Sequence, residues 1–110
     1  MKRVAIGLPR LLKRVHRLAV QRRVRFTLKA RQELAALGAG LDEQDACDVL
    51  AGLGVADFAS WLVSEGTGEW MYVFNPLVAG TPVYLKLVLR EGCLIVSFHE
   101  DEGDPDEEVL

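Results

Sequence analysis

The chain has 110 residues, 50% of them hydrophobic, and a formal net charge of −3 at pH 7. This size suits one folded domain with a single modest core. No apolar run approaches the roughly 20 residues needed to span a membrane. Because basic residues also interrupt the first apolar segment, no secretory signal is indicated, and we expect a cytoplasmic protein that does not contact a membrane.

Charge is distributed unevenly along the chain. Residues 1–31 contain 11 of the 13 Lys and Arg and no acid, whereas seven of the 16 acids lie within residues 100–108. A basic front indicates an anionic partner, although a simply solvated helix face gives the same pattern. The end of the chain is too acidic to pack from Glu100 onward, so we expect one domain over residues 1–100 and a disordered tail over residues 101–110.

Three helices are predicted in the first half of the chain. Apolar side chains recur at helical spacing in residues 8–20, which predicts an amphipathic helix. A short connection or strand follows at residues 21–26. Thr27 is the predicted cap of a second helix that runs to about residue 37, and Asp42 is the predicted cap of a third that ends near Gly52.

Seven basic residues in this region are candidates for binding phosphate groups. Four lie on the polar side of the first helix and three lie in the connection after it: Arg10, Lys13, Arg14, Arg17, Arg22, Arg23 and Arg25. His16 stands at the border between the apolar and basic sides of the same helix. We interpret His16 as a structural residue rather than a ligand.

The second half of the chain changes to a period of two, which is typical of half-buried strands. Strands are predicted at residues 58–63, 69–75, 81–90 and 93–99, with a turn at residues 64–68 and a loop at residues 76–80. The predicted fold class is therefore α+β, with three helices packed on one face of a four-stranded antiparallel sheet.

The last two predicted strands form a hairpin around Glu91 and Gly92, which predict a two-residue turn. A turn of that length sets the register, so that Arg90 faces Cys93 and each further pair steps back along both strands. One face of the hairpin is then purely apolar and must be covered by the helices: Leu85, Leu87, Leu89, Leu94, Val96 and Phe98.

The other face of this hairpin carries the candidate catalytic residues. The register places Tyr84 opposite His99, and Lys86 opposite Ser97. A neutral imidazole accepts a proton near pH 7, a phenol positions or donates one, and an ammonium group stabilises the charge of a developing phosphorane or oxyanion. The same three residues are also ordinary on the exposed face of an antiparallel sheet.

No cofactor motif accompanies these residues. The sequence contains no P-loop, no G-x-G-x-x-G and no H-E-x-x-H. Cys47 and Cys93 lie far apart without a C-x-x-C motif, so we expect reduced, partly buried thiols rather than a disulfide or a zinc site. We therefore expect chemistry that needs neither a metal nor a cofactor.

Several motifs resemble the MqsR family of type II toxin–antitoxin toxins, over roughly residues 10–100. They are A-C-D-V-L-A-G-L-G-V-A-D-F at residues 46–58, W-M-Y-V-F-N-P at residues 70–76, V-Y-L-K at residues 83–86 and L-I-V-S-F at residues 94–98. The resemblance implies a RelE-like fold and a ribosome-independent endoribonuclease that cuts messenger RNA. It also implies neutralisation by a cognate DNA-binding antitoxin, of the MqsA type with a helix-turn-helix domain.

The family's site residues carry over only in part. Tyr84 matches the tyrosine of the family, and His99 stands where the family has a lysine. Ser60, Met71 and Asn75 stand where the family has a lysine, a glutamine and an arginine. Two interpretations follow. The first is a ribonuclease toxin with Tyr84, Lys86 and His99 at the site and the N-terminal basic residues on the RNA backbone. The second is a catalytically weak or inactive member that acts by binding an antitoxin or a nucleic acid.

Overall fold

The computed structural model describes residues 7–38 and 40–102. Three helices lie where the sequence predicts them: α1 at Leu8–Val20, α2 at Leu28–Ala36 and α3 at Glu43–Ala51. The predicted caps are confirmed as well. Thr27 Oγ1 accepts a hydrogen bond from Ala30 N at 3.1 Å, and Asp42 forms a reciprocal capping box with Asp45. Within these described residues no helix is both long and apolar enough to cross a membrane.

The sheet is mixed and contains six strands in the part of the chain that the structure describes. In chain order they are β1 at Val24–Phe26, β2 at Phe58–Val63, β3 at Trp70–Phe74, β4 at Leu77–Val78, β5 at Thr81–Leu89 and β6 at Cys93–Glu100. Across the sheet the order is β1-β6-β5-β3-β2, and β4 pairs separately with β5. Strand β1 is parallel to β6, whereas the other pairs are antiparallel.

The predicted four-stranded antiparallel sheet therefore needs correction. Its four strands are present as the neighbours β6-β5-β3-β2. Strand β1, which lies in the segment predicted as a connection or strand, adds a parallel edge, and β4 occupies part of the predicted loop at residues 76–80. Strands of three and two residues are too short to show a period of two. The parallel pair joins Val24 to Cys93, and no local pattern reveals a contact between segments so far apart in sequence.

The helices cover one face of the sheet, which we call the inner face. Helix α1 contributes the fully buried Leu11 and Val15, and strand β5 contributes Val83, Leu85 and Leu87, which are also fully buried. Burial of one large aliphatic side chain contributes roughly 1.5–3 kcal/mol. The inner face is therefore the main source of stability.

The register of the last hairpin is confirmed in one half and wrong in the other. Away from the turn, Tyr84 pairs with His99 and Lys86 with Ser97, as predicted. Nearer the turn a bulge in β6 shifts the pairing by one residue, so Leu87 pairs with Ile95 rather than Val96. A shift of one residue reverses the faces. Cys93 and Ile95 consequently enter the core, in place of the predicted Leu94 and Val96.

The turn itself also differs from the predicted two-residue loop. Leu89 pairs with Cys93, so three residues, 90–92, connect the strands. Cys93 N donates a hydrogen bond to Arg23 O at 3.0 Å, which ties the turn to the start of β1. A Cβ at Gly92 would lie 2.8 Å from the same Arg23 oxygen. The glycine is therefore required by the approach of β1, a contact that sequence spacing does not show.

The first acids of the predicted tail take part in the fold. Glu100 is the last residue of β6 and pairs with Val83. Asp101 N donates to Pro82 O at 2.8 Å, and the Asp101 carboxylate accepts a hydrogen bond from Asn75 Nδ2 at 2.6 Å. The expectation of disorder from Glu100 onward is thus wrong for these two residues. Residues 103–110 lie outside the described part of the chain.

Candidate active site

Tyr84, Lys86 and His99 lie together on the outer face of the sheet. Each alternates along its strand with core residues, among them the fully buried Leu85 and Phe98. Because side chains that face each other in an antiparallel pair share one face, Tyr84 and His99 are neighbours, and Lys86 lies in the next row. The structure thus brings together the three predicted catalytic residues.

The rings of Tyr84 and His99 are stacked. Their centroids are 5.1 Å apart and their planes differ by 12°. His99 Nδ1 lies 2.8 Å from the Glu100 carbonyl oxygen. Since a carbonyl oxygen only accepts, Nδ1 carries the proton and donates it to this bond. In the neutral ring Nε2 is then left with a lone pair, and it is the atom that can accept a proton.

A second group of polar side chains reaches this face from helix α2. Lys29 Nζ donates to Ser97 Oγ at 3.1 Å and lies 2.9 Å from Glu33 Oε2. Glu33 Oε1 in turn accepts a hydrogen bond from Phe98 N at 2.9 Å. Lys29 and Glu33 were not among the predicted site residues. Their i,i+4 spacing was visible in the sequence, but the edge of the sheet that they reach was not.

The electrostatics of Glu33 reflect this setting. Burial by itself raises the pKa of the Glu33 carboxyl. The hydrogen bonds from Lys29 and from Phe98 N, together with the positive charges of Lys29 and His99, outweigh burial and hold that pKa below its usual range. Glu33 is therefore a carboxylate near neutral pH.

The end of β1 explains why α2 lies here. Thr27 N donates to Ile95 O at 3.0 Å, and Thr27 Oγ1 donates to Val96 O at 3.4 Å. Strand β1 covers the edge of β6 only at residues 93–95, and the chain then turns into α2. The helix continues along the same edge of β6, where the Glu33 carboxylate accepts the hydrogen bond of Phe98 N in place of a neighbouring strand. Polar residues of α2 are thereby placed beside Ser97 and the backbone of Phe98.

The predicted phosphate-binding residues occupy a different region. A groove of about 620 Å³ lies between α1 and the turn that joins β5 to β6. Its lining is mostly basic and consists of Arg10, Lys13, Arg14, Arg17, Leu18, Gln21, Arg23 and Glu91. Arg22 and Arg25 line a smaller groove of about 230 Å³ beside it. We call the larger one the basic groove.

The structure separates the basic groove from Tyr84 and His99. Helix α1 packs on the inner face of the sheet, whereas the two rings lie on the outer face. Glu91 precedes the start of β6, and His99 stands near its other end. The predicted phosphate-binding residues and the predicted catalytic residues therefore form two regions on opposite sides of the sheet.

His16 has the structural role predicted for it. His16 Nε2 lies 2.6 Å from the Leu53 carbonyl oxygen and donates a hydrogen bond to it. Leu53 follows the end of α3, so the bond joins α1 to the chain beyond α3. The imidazole is thus part of the helix packing, and it belongs to a different element from Tyr84 and His99, which lie on β5 and β6.

The sequence matches a known protein family over most of its length. Residues 10–100 match a family model described as "Motility quorum-sensing regulator, toxin of MqsA". The chain belongs to the MqsR toxin family. One MqsR relative is the mRNA interferase toxin MqsR of Escherichia coli strain K12, which is 36% identical over 62 residues. That match covers 56% of this chain and 63% of the relative.

The residues that depart from the MqsR pattern also fall on or near the outer face. Ser60, Val73, Lys86 and Ser97 form one row across β2, β3, β5 and β6. The β2 end of this row, where the resemblance implies a lysine, carries only Ser60. Met71 pairs with Val88 in the neighbouring row. In this MqsR-family chain, Lys86 is therefore the positive charge within the row, and Lys29 of α2 adds a second one where it contacts Ser97.

Asn75, which stands where the resemblance implies an arginine, has a structural role in this chain. Its side-chain amide donates to the Asp101 carboxylate at 2.6 Å and to Val83 O at 3.4 Å. These bonds join the end of β3 to the start of β5 and the end of β6. Asn75 thus contributes no charge, and it holds the segment that follows His99.

Proposed function

We propose that this chain is the toxin of a type II toxin–antitoxin system and acts as a metal-independent endoribonuclease on messenger RNA. Membership of the MqsR family supports the toxin assignment, and the name of the E. coli relative, an mRNA interferase, supports the activity. The observation that carries the proposal is the Tyr84–His99 stack one row from Lys86, in which the bond from His99 Nδ1 to Glu100 O leaves Nε2 as a proton acceptor.

The proposed reaction uses the 2′-hydroxyl of RNA as an internal nucleophile. His99 Nε2 accepts the proton of the 2′-hydroxyl, and the 2′-oxygen attacks phosphorus. Lys86 stabilises the extra negative charge on the phosphorane oxygens. The bond from phosphorus to the 5′-oxygen breaks as the Tyr84 hydroxyl donates a proton to that oxygen. The products are a 2′,3′-cyclic phosphate and a 5′-hydroxyl, and solvent returns the proton from His99 to Tyr84.

We propose that the basic groove binds the RNA backbone away from the cleaved bond. Its five cationic side chains are accompanied by a single acid, Glu91, which suits a polyanion. Because the groove and the Tyr84–His99 stack lie on opposite faces, one RNA strand would have to pass around an edge of the sheet to occupy both. The groove then contributes affinity and leaves the rate of the bond-breaking step unchanged.

We propose a cognate antitoxin of the MqsA type, with a helix-turn-helix domain, as the protein partner. The description of the family, which names its members as toxins of MqsA, supports this partner. Messenger RNA and such an antitoxin are both cytoplasmic molecules, so we propose a cytoplasmic site of action.

The experiment that tests the function is incubation of the purified chain with messenger RNA in EDTA. We expect cleavage that leaves cyclic phosphate ends, and no cleavage of DNA of the same sequence, which lacks the nucleophile. His99→Ala removes the base and is expected to slow cleavage by roughly 100-fold or more. Tyr84→Phe keeps the stacked ring, removes only the hydroxyl, and is expected to slow cleavage by a similar factor. Equal cleavage by His99→Ala would exclude the proposed mechanism.

A second function is favoured by the uncharged residues at family positions. Ser60, Met71 and Asn75 remove polar or charged groups that the resemblance implies, which suits a member that binds an antitoxin or RNA without cutting. Absence of RNA cleavage together with retained antitoxin binding would support this alternative. Induction in cells distinguishes the two as well, because growth arrest that His99→Ala relieves requires catalysis.

A further inference from the structure

The side chains of Lys29 and Glu33 reach around the edge of β6 to the outer face. Ser97 pairs with Lys86 and shares its face, so the bond from Lys29 Nζ to Ser97 Oγ at 3.1 Å places the Lys29 ammonium group in the row of Lys86. Ser97 therefore has two lysines as neighbours: Lys86 is its pairing partner on β5, and Lys29 on α2 is bonded to its hydroxyl. Neither the motifs nor the strand register indicated the second one.

The Lys29 ammonium group is held in place but remains accessible. It has three N–H donors, two of which are directed at Glu33 Oε2, at 2.9 Å, and at Ser97 Oγ. The Lys29 side chain is 61% exposed, which leaves room for an incoming group to reach its third donor. Glu33 is only 21% exposed and is itself anchored by Phe98 N, whereas Ser97 is almost completely buried. An oriented cation with a free donor is what an incoming phosphate requires.

The distribution of charge in the row supports the same role. The β2 end of the row has Ser60 and the nearly buried Val73, which have no charge. The β6 end has Lys86 and Lys29, beside the row of Tyr84 and His99. If the leaving oxygen of a phosphate lies at the Tyr84–His99 stack, the positive charges that stabilise this phosphate are therefore those on the α2 side of the row.

We propose that Lys29 binds the scissile phosphate together with Lys86, and that Glu33 is a positioning residue for Lys29. This inference rests on the proposed ribonuclease function and names a further residue of that site. Lys29 Nζ donates a hydrogen bond to a non-bridging oxygen of the phosphate and stabilises it as charge develops. Glu33 restricts the otherwise flexible lysine, and it acts through Lys29 rather than on the RNA.

The test compares Lys29→Gln with Arg31→Gln. Arg31 lies on the same helix and is paired with Glu43 at 2.8 Å. Its substitution by Gln also removes one positive charge, but away from Ser97. We expect Lys29→Gln to lower the single-turnover rate of RNA cleavage by about 100-fold, and Arg31→Gln to leave it unchanged. Lys29→Arg is expected to restore part of the rate, since it keeps the charge.

The positioning role of Glu33 has its own test. Glu33→Gln keeps an oxygen for Phe98 N and removes the charge that holds Lys29, so we expect a smaller loss of rate than in Lys29→Gln. If Glu33 acts through Lys29, the double variant Lys29→Gln with Glu33→Gln cleaves no more slowly than Lys29→Gln alone. A further, additive loss in the double variant would overturn the positioning role.

A binding measurement separates failure of this inference from failure of the proposed function. The probe is a 2′-O-methyl RNA, whose 2′-oxygen cannot act as nucleophile. Lys29→Gln is expected to weaken its binding and to reduce the salt dependence by about 0.7 in log–log slope, while Arg31→Gln does neither. If the unaltered chain cleaves RNA and Lys29→Gln matches Arg31→Gln in both assays, the inference is overturned and the function stands. If the unaltered chain does not cleave but Lys29→Gln alone loses binding, the function is overturned and the phosphate-binding role stands.

Discussion

His99 is oriented by two contacts, of which the strand pattern predicts only one. Its position opposite Tyr84 follows from antiparallel pairing, so the sequence predicts that the two rings are neighbours. The bond from Nδ1 to the Glu100 carbonyl depends on the side-chain rotamer and on the path of the backbone after His99. That second contact decides which nitrogen is free to accept a proton, and it required the structure.

Glu33→Gln is expected to lower the free energy of unfolding near neutral pH and to lose this effect in acid. The pKa of the Glu33 carboxyl is below its usual range in the fold, because the bonds and charges of Lys29 and Phe98 N outweigh burial. A lowered pKa stabilises the fold above the pKa of the unfolded chain, about 4.3, and the contribution disappears as pH falls through the lower folded value.

Urea unfolding of the two proteins at about pH 7 and at about pH 3 measures this difference, which we expect to be about 1 kcal/mol at the higher pH. Glu43→Gln is the matched control, because it removes a carboxylate that is paired with Arg31 at a more exposed position. We expect a smaller difference for that control. A Glu33→Gln difference that persists or grows in acid would contradict the assigned cause.

At the scale of secondary-structure elements, local signals located the helices and the four longer strands. Caps, apolar stripes and a period of two are properties of neighbouring residues, and they gave α1, α2 and α3 nearly to the residue. A strand was one of two alternatives predicted for residues 21–26, but its parallel pairing with β6 and the bulge in β6 have no such signal. The bulge lies where the pairing of β6 with β1 ends and its contact with the start of α2 begins. It therefore depends on a contact with a segment far away in sequence.

Gly92→Ala is expected to destabilise the fold by about 1–3 kcal/mol. The added Cβ would lie 2.8 Å from Arg23 O, which is backbone and cannot move aside without disturbing the junction of β1 and the turn. Gly66→Ala is the control, because a Cβ at Gly66 meets nothing within 4 Å. The measurement is the urea midpoint of both variants. Equal midpoints would show that the approach of β1 does not require glycine at residue 92.

At the scale of the whole molecule, the fold divides the candidate functional residues between the two sides of the sheet. The basic groove belongs to α1 and the β5–β6 turn, while the Tyr84–His99 stack and Lys29 belong to the outer face. Charge along the sequence cannot reveal this division, since it does not show on which side of a sheet a helix packs. Substitutions in the basic groove are consequently expected to change RNA binding without changing the cleavage step, whereas Lys29→Gln on the other side is expected to change both.

Lys13→Gln tests this division. We expect it to weaken binding of RNA of any sequence and to reduce the salt dependence by about 0.7 in log–log slope, because one phosphate contact is lost. The single-turnover cleavage rate at saturating RNA should stay unchanged, since Lys13 lies in the basic groove. Arg31→Gln, with the same loss of charge outside the groove, should affect neither quantity. A lower saturating rate in Lys13→Gln would show that the groove takes part in the cleavage step.

The sequence by itself determined the helices and their caps, the four antiparallel strands, and the placement of Tyr84 opposite His99. These depend on residues that are neighbours in the chain or across one hairpin, whose effects are visible as spacing. Only the tertiary structure decided that β1 runs parallel to β6 and that Cys93 and Ile95 enter the core. It also decided that α2 brings Lys29 and Glu33 to the outer face, and that the basic groove opens on the other side. The physical reason is that each of these depends on a contact between segments far apart in sequence, chosen by packing of the whole core.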